Sequence, residues 1–162
     1  GETIDRATDR CLATKAKLTL PRGTFRHVIG VRDRVGRDPR GHALSVVVLA
    51  VVPADLMVDG MRPLRDTIHL AFDHDEMVSS AVAWLRGHLW SDRTLAAALV
   101  GPAALTTATF VGIQQAVQDD GQPVDVSNLR RRLVASGLFK STTATKAGAG
   151  RGRPSAVWRW IV

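Results

Sequence analysis

The stretch 126–160, VSNLRRRLVASGLFKSTTATKAGAGRGRPSAVWRW, restricts what this chain can fold into more than any other part of it. It predicts a short amphipathic helix, a strand, a basic Gly-rich loop and a second strand: a helix followed by a β-wing. Val126, Leu129 and Leu133 recur at i, i+3 and i+7, so at 3.6 residues per turn they share one face. Ser127, Asn128 and Arg131 fall opposite that face, Arg132 at its edge and Arg130 nearer the apolar side, which leaves a polar, cationic outer surface. Asp125 is placed to cap the first turn, and Gly137 follows the last with the φ > 0 freedom that a helix C-terminus often needs.

Charge location carries more than total charge. Residues 1–120 hold 14 Lys+Arg and 14 Asp+Glu, whereas residues 121–162 hold 8 Lys+Arg against the single acid Asp125, so 14 − 14 = 0 and 8 − 1 = +7. All of the formal net charge of +7 therefore sits in the last quarter of the chain. A cationic helix beside a cationic loop suits a nucleic-acid backbone, because Lys and Arg that neutralise phosphates release condensed counterions. A solvated basic face without a partner is the other reading of charge alone; helix, wing and charge together favour DNA.

At 162 residues the chain can bury one good core, or one medium and one small core. An apolar content of 45% and a charged content of 23% are ordinary for a globular protein, and no run of about 18 apolar residues predicts a membrane span. The longest apolar stretch, 43–53, is Val-rich and of strand length, and is expected to be a buried, central strand. The lone Cys11 excludes an internal disulfide and a multi-cysteine zinc site, and nothing at the N-terminus reads as a signal peptide; together these favour the cytoplasm.

Taken in order, residues 1–18 read as a helix with Ile4, Ala7, Cys11 and Leu12 inward. Strands are expected over 28–35 and 43–52, joined by the turn GRDPRG at 36–41. Arg37, Asp38 and Arg40 there make either a ligand-facing loop, in which an arginine meets a phosphate, or a plain solvent-exposed turn. A loop leads to a short strand candidate at 67–72. AFDHDE then opens a helix, with Asp73 and Glu76 as a capping-box-like pair and Met77, Val78, Ala81, Trp84, Leu85 and Leu89 as its apolar stripe. Asp73, His74, Asp75 and Glu76 could be taken for a metal cluster, but acids at a helix N-terminus complement the dipole without one. Ser91 is expected to cap a helix over 92–100, stopped by Gly101-Pro102. Thr106 or Thr107 starts another, with Phe110, Ile113 and Val117 on one face, and the turn at 119–123 leads into the cationic helix. That pair makes a helix-turn-helix arrangement. On the last strand Ala156, Trp158, Trp160 and Val162 share a face that would pin the wing to the helices.

Two resemblances add to this reading. Residues 2–18 are similar to the Nudix box, G-x5-E-x7-R-E-U-x-E-E-x-G-U with U apolar, with Glu2 as its first glutamate, Arg10 as its arginine and Leu12 at an apolar position. Cys11, Thr14 and Lys15 stand where the box has the glutamates that hold divalent cations in Nudix hydrolases. A thiol, a hydroxyl and an ammonium cannot present hard anionic oxygens, so the resemblance implies a catalytically dead Nudix helix and no required cofactor. The chain also starts inside the motif, which implies an N-terminally incomplete Nudix-like domain.

RDPRG at 37–41, AFDHD at 71–75 and the ending NLRRRLVASGLF…GRGRPSAVWRW together resemble the NrtR family of Nudix-related transcriptional regulators. That family's Asn-x-Arg-Arg-like helix corresponds to Asn128, Arg130 and Arg131. Its Gly-Arg-Pro-Ala-x-x-Tyr-like wing strand corresponds to Gly152, Arg153, Pro154, Ser155 and Trp158, with Ser155 and Trp158 departing from the pattern. The resemblance implies an α+β chain: a degenerate Nudix-like α/β/α sandwich over 1–90 and a winged helix-turn-helix over 91–162. It further implies a homodimeric repressor of NAD biosynthesis and salvage genes that binds a palindromic operator in double-stranded DNA and responds to ADP-ribose or a related nucleotide. The expected DNA contacts are Ser127, Asn128, Arg130, Arg131, Arg132, Lys140, Lys146, Arg151 and Arg153; the expected effector contacts are Arg37, Asp38 and Arg40. A Nudix-type hydrolase of nucleoside diphosphate derivatives with atypical metal ligands is the enzymatic alternative, and a winged helix that binds protein rather than DNA is a third.

Overall fold

The computed structural model describes residues 1–36, 39–53, 56, 61, 69–101, 105–118, 121–146 and 155–161, the side chains of 143–146 and 155 excepted. The chain divides into two compact units, Gly1–Trp84 and Leu85–Val162.

The first unit opens with α1 (Ile4–Cys11), capped by the Thr3 hydroxyl, which accepts from the Arg6 N–H. A π-helical turn, Leu12–Ala16, follows and ends where Lys17 takes φ 54 and its N–H reaches back to the Leu12 carbonyl. Ile4 and Cys11, expected inward, are exposed; the buried anchor here is Leu18, beyond the end of the helix. The π turn begins only at Leu12, so it shifts the chain off the α-helical period beyond Cys11, where Leu18 becomes the buried residue. Strand β1 (Arg26–Arg32) pairs antiparallel with β2 (Ser45–Ala50), with a register irregularity between Val28 and Gly30. The apolar run around β2 is not the central buried strand its composition predicts. Among the described residues β2 pairs only with β1, so one edge lacks a neighbour and its side chains are half-buried or exposed. Helix α2 (His74–His88) starts where the Asp73 carbonyl accepts from the Met77 N–H, and Trp84 on it meets Phe25 and stacks on His27 at 4.0 Å between ring centroids. Asp9 of α1 accepts from the Arg26 guanidinium and ties α1 to β1. Of the strand expected over 67–72, residues 69–72 are irregular and 67–68 lie outside the described residues.

The second unit is built on an aromatic core. After the end of α2, Asp92 caps α3 (Arg93–Val100), accepting from the Thr94 and Leu95 N–H groups; Ser91, the expected cap, instead donates to the His88 carbonyl. Gly101, at φ 66, ends α3. A two-residue strand β3 (Leu105–Thr106) precedes α4 (Thr107–Ala116), whose cap is the Thr106 hydroxyl. Helix α5 (Val126–Ala135) leads through Gly137, φ 67, into β4 (Phe139–Lys146), and β5 (Ser155–Trp160) completes an antiparallel sheet of order β3-β5-β4. Strand β5 is thus the middle one, and Trp158 on it is 2% exposed. Phe110 lies 5.2 Å from Trp90, 5.0 Å from Phe139 and 6.0 Å from Trp158 between ring centroids, each pair edge to face. Each buried indole is also anchored through its N–H: Trp90 to Gln114 Oε1 at 2.9 Å and Trp158 to Thr107 Oγ1 at 3.0 Å. Val162, expected on the tryptophan face, lies outside the described residues.

Candidate nucleic-acid interface

Helix α5 is held from both ends and from one side. The Asp125 carboxylate accepts from the Asn128 N–H at 3.0 Å, and the Asp125 carbonyl accepts from the Leu129 N–H at 2.9 Å. The first bond satisfies a first-turn donor that has no intrahelical partner, the second is the helix's first i→i−4 bond, and the acid also complements the helix dipole. Leu129 and Leu133 are 2% and 0% exposed; Val126, expected to share their burial, is 38% exposed because it sits at the open first turn. Everything between these anchors faces water: Ser127, Asn128, Arg130, Arg131 and Arg132 are all exposed. Arg130, expected nearer the buried side, is as free of the core as its neighbours. Val134, 61% exposed, lies on the same outer side one turn beyond Arg131.

Beyond α5 the chain turns tightly. The Ser136 N–H reaches the Arg132 carbonyl, its hydroxyl donates to the Leu133 carbonyl, and the Leu138 N–H returns to the Ser136 hydroxyl. This turn leads directly into β4, where Phe139 is buried and Lys140 exposed. The expected contact Lys146 ends β4, but its side chain lies outside the described residues, as do Arg151 and Arg153 altogether.

The first unit carries the box-like segment. Arg10 meets Glu2 in a two-pronged ion pair, Nε to Oε1 at 3.0 Å and Nη2 to Oε2 at 2.8 Å. The pair holds the Glu2 carboxyl below the ordinary glutamate range, first by the hydrogen bond and then by the charge of Arg10. By the same alignment the glycine of the box falls on Lys17, the residue with left-handed φ. At that position the backbone takes a conformation that glycine favours, while the side chains of the segment lack the motif's carboxylate donors. Cys11, Thr14 and Lys15 are exposed, and with Glu2 engaged by Arg10 they do not fit a divalent cation. Among the described residues no group of three or more His, Cys, Asp or Glu side chains could hold a metal ion.

Two clefts open in this unit. One, about 750 Å³, lies between the π turn, β2 and α2 and is lined mainly by apolar groups such as Leu12, Leu18, Val48 and Met77. The other, about 590 Å³, has Arg32 and Arg34 facing Asp73, Asp75, Glu76, Ser79 and Ser80, with Arg32 donating to the Ser80 hydroxyl at 2.9 Å. Of the expected effector contacts, Arg37 and Asp38 lie outside the described residues, and Arg40 is exposed in a turn and lines neither cleft.

No family model matches the sequence. An ADP-ribose pyrophosphatase of Methanocaldococcus jannaschii is 31% identical over 94 residues, 54% of this chain and 54% of its own; the chain thus spans about half the length of the curated relative it matches. The crystal structure of Shewanella oneidensis NrtR is similar over 99% of this chain and 74% of its own, with TM-score 0.66 and 21% identity. The chain has the fold of NrtR. The same NrtR complexed with a 27mer DNA matches with TM-score 0.64 and 22% identity over the same shares of both chains. A MutT/nudix family protein from Enterococcus faecalis covers 100% of this chain and 71% of its own, with TM-score 0.62 and 16% identity. The likeness to NrtR read from three short stretches of sequence is thereby matched by the fold of almost the whole chain.

Measured against the NrtR-like expectation, the structure places Ser127, Asn128, Arg130, Arg131, Arg132 and Lys140 together on exposed surface of one unit. It also brings in a residue that sequence reasoning missed. Arg159, exposed on β5, stands directly across from Lys140. Alternation with Trp158 and Trp160 was the available signal that it points outward; its pairing with Lys140 needed the register of the hairpin. No described helix is long and apolar enough to cross a membrane.

Proposed function

We propose that this chain is a sequence-specific DNA-binding regulator, with a winged helix-turn-helix over 91–162 that presents α5 to the major groove and a degenerate Nudix-like part over 1–90. The observation that carries the reading is α5 itself: a helix capped at Asp125, anchored by Leu129 and Leu133, whose exposed surface carries Arg130, Arg131 and Arg132 beside Ser127 and Asn128. The likeness to an NrtR that has been crystallised with DNA supports it. A homodimer would set one α5 per protomer into successive grooves of a palindromic operator, with half-site centres about 10 bp apart or a multiple of that. Asn128 suits adenine, because its amide accepts and donates together, and Arg131 suits guanine O6 and N7. Ser127, Arg130 and Arg132 hold phosphates, and Lys140, Lys146, Arg151 and Arg153 bring the wing to the backbone or minor groove.

The regulator represses genes of NAD biosynthesis or salvage. The first unit senses ADP-ribose or a related nucleotide, with Arg37, Asp38 and Arg40 as contacts, and needs no cofactor. Such an effector would release DNA by favouring a protomer arrangement with the wrong helix spacing. Hydrolysis of a nucleoside diphosphate derivative is the second reading, favoured by the likeness to an ADP-ribose pyrophosphatase. Cys11, Thr14 and Lys15 at the box positions weigh against it, since none supplies a carboxylate.

Fluorescence anisotropy tests the regulator: a labelled duplex from upstream of the gene against a scrambled one, with and without ADP-ribose. Preference for the native duplex, weakened by ADP-ribose, is expected. Arg131→Ala should cost about 1–3 kcal/mol on the native duplex and relax base preference, whereas Arg153→Ala should weaken all sequences alike. A folded dimer that binds neither duplex, or magnesium-dependent turnover of ADP-ribose, would displace this reading.

A further inference from the structure

On the β4–β5 hairpin Lys140 and Arg159 are directly opposed, and both are exposed. Residues so placed on an antiparallel pair have Cβ atoms about 4.5–5.5 Å apart, and like charges there are destabilising. Among the described residues no carboxylate relieves them. The same outward face carries Val157 on β5 and Thr106 opposite it on β3, both uncharged. The described acids of this unit, Asp92 and Asp125, are engaged in capping α3 and α5. Two other arginines of the unit have structural work: Arg86 donates twice to the Val117 carbonyl, and Arg93 donates to the Ile161 carbonyl. Among the described residues Lys140 and Arg159 have no such partner. The fold therefore holds two unneutralised cations side by side, an arrangement that a single shared anion would turn from repulsive to favourable.

We propose that Lys140 and Arg159 close together on one backbone phosphate of the bound duplex, a sequence-independent clamp on the sheet that adds to the contacts of α5. The inference rests on the DNA-binding reading above. It names DNA rather than a free anion because β4 leaves α5 through the short Ser136 to Leu138 turn, so the hairpin begins next to the end of the helix, and Lys140 is already among the backbone contacts of the DNA reading. Guanidinium and ammonium then act unequally: Arg159 can bridge two phosphate oxygens with its planar fork, while Lys140 contributes a point charge.

The test compares wild type, K140Q, R159Q, R159K, the K140Q/R159Q double variant and R131A, by anisotropy between about 50 and 200 mM salt on native and scrambled duplexes, alongside thermal unfolding of the free proteins. One shared phosphate predicts that the double variant lowers the slope of log K against log salt by about 0.9, rather than twice that. It should weaken both duplexes equally, and R159K should restore most of the slope. Relief of the repulsion also predicts that R159Q raises the melting temperature of the free protein by about 1–3 °C. A folded double variant with wild-type slope and affinity, while R131A loses affinity, would overturn the clamp and leave the DNA reading standing. Wild type without salt-dependent binding to either duplex would remove both.

Discussion

The buried hydrogen bond between Trp158 and Thr107 offers the sharpest test of how the second unit is held together. Trp158 and Thr107 are 2% and 5% exposed, and the indole N–H meets the Thr107 hydroxyl at 3.0 Å. That hydroxyl is also placed to donate to the Ala156 carbonyl, at 3.5 Å, so one side chain of α4 is bonded twice to β5. Thr107→Val keeps the shape and removes both the acceptor for the indole and the long bond to the Ala156 carbonyl. The indole N–H is then left buried without a partner, at a cost of about 1–3 kcal/mol. Replacing a hydroxyl by a methyl on a buried site returns at most about 0.8 kcal/mol. The expected net loss is thus about 1–2 kcal/mol. Thr107 is not the helix cap, a task that falls to Thr106, so no capping loss is mixed in.

Trp158→Phe removes the donor and opens a small cavity among Phe110 and the strands, costing about 1–3 kcal/mol. In the double variant neither polar partner remains to be stranded, so its loss should fall short of the sum of the single losses by about 1 kcal/mol. Urea unfolding followed by far-UV circular dichroism measures all of these, with midpoints shifting and m unchanged. Additivity to within about 0.3 kcal/mol would show that the bond contributes nothing beyond packing, and the account of β5 as hydrogen-bonded to α4 would fail.

Three further outcomes follow from the same geometry. Asp125→Ala should destabilise the protein by about 1 kcal/mol through loss of the α5 cap, whereas Arg131→Ala should leave urea unfolding within about 0.5 kcal/mol of wild type. Gly137 has φ 67 with open space where a Cβ would stand, so Gly137→Ala should cost about 1 kcal/mol of backbone strain and Gly137→Asn less; equal losses would deny a conformational cause. Glu2, held below the ordinary glutamate range by Arg10, should titrate with a depressed midpoint by NMR and return toward the ordinary value in Arg10→Gln. Because the folded value is the lower one, the tie it makes is present above the ordinary glutamate pKa and is lost as pH falls through the depressed value.

What was legible in the sequence was what is local. For α5, the apolar spacing, the Asp125 cap and the Gly137 exit all lie within about one helix length of one another, so face, start and stop could be read without a partner. The slip at Ser91 has the same scale: two adjacent capping types stand before α3, and only the bonds to Thr94 and Leu95 choose Asp92. What escaped was non-local. Gln114 sits on an otherwise apolar side of α4 and looks like a pattern error until Trp90, 24 residues away, is found donating to it. Strand β3 has two residues and hence no period to detect; it exists because β5 offers Trp158 and Val157 as partners. The 43–53 run misled for the complementary reason. Valine content reports strand propensity, but centrality depends on how many neighbours arrive, and β2 has one among the described residues.

The same division governs the candidate site. Arg131 announces itself by its angle on a helix wheel, whereas Lys140 and Arg159 are 19 residues apart and become one feature only when the hairpin register brings them face to face. A basic tail would carry the same charge without that register. If the clamp holds, affinity in this unit depends on strand pairing as much as on cation count, and a register slip of one residue would turn Arg159 toward the core while leaving the composition untouched.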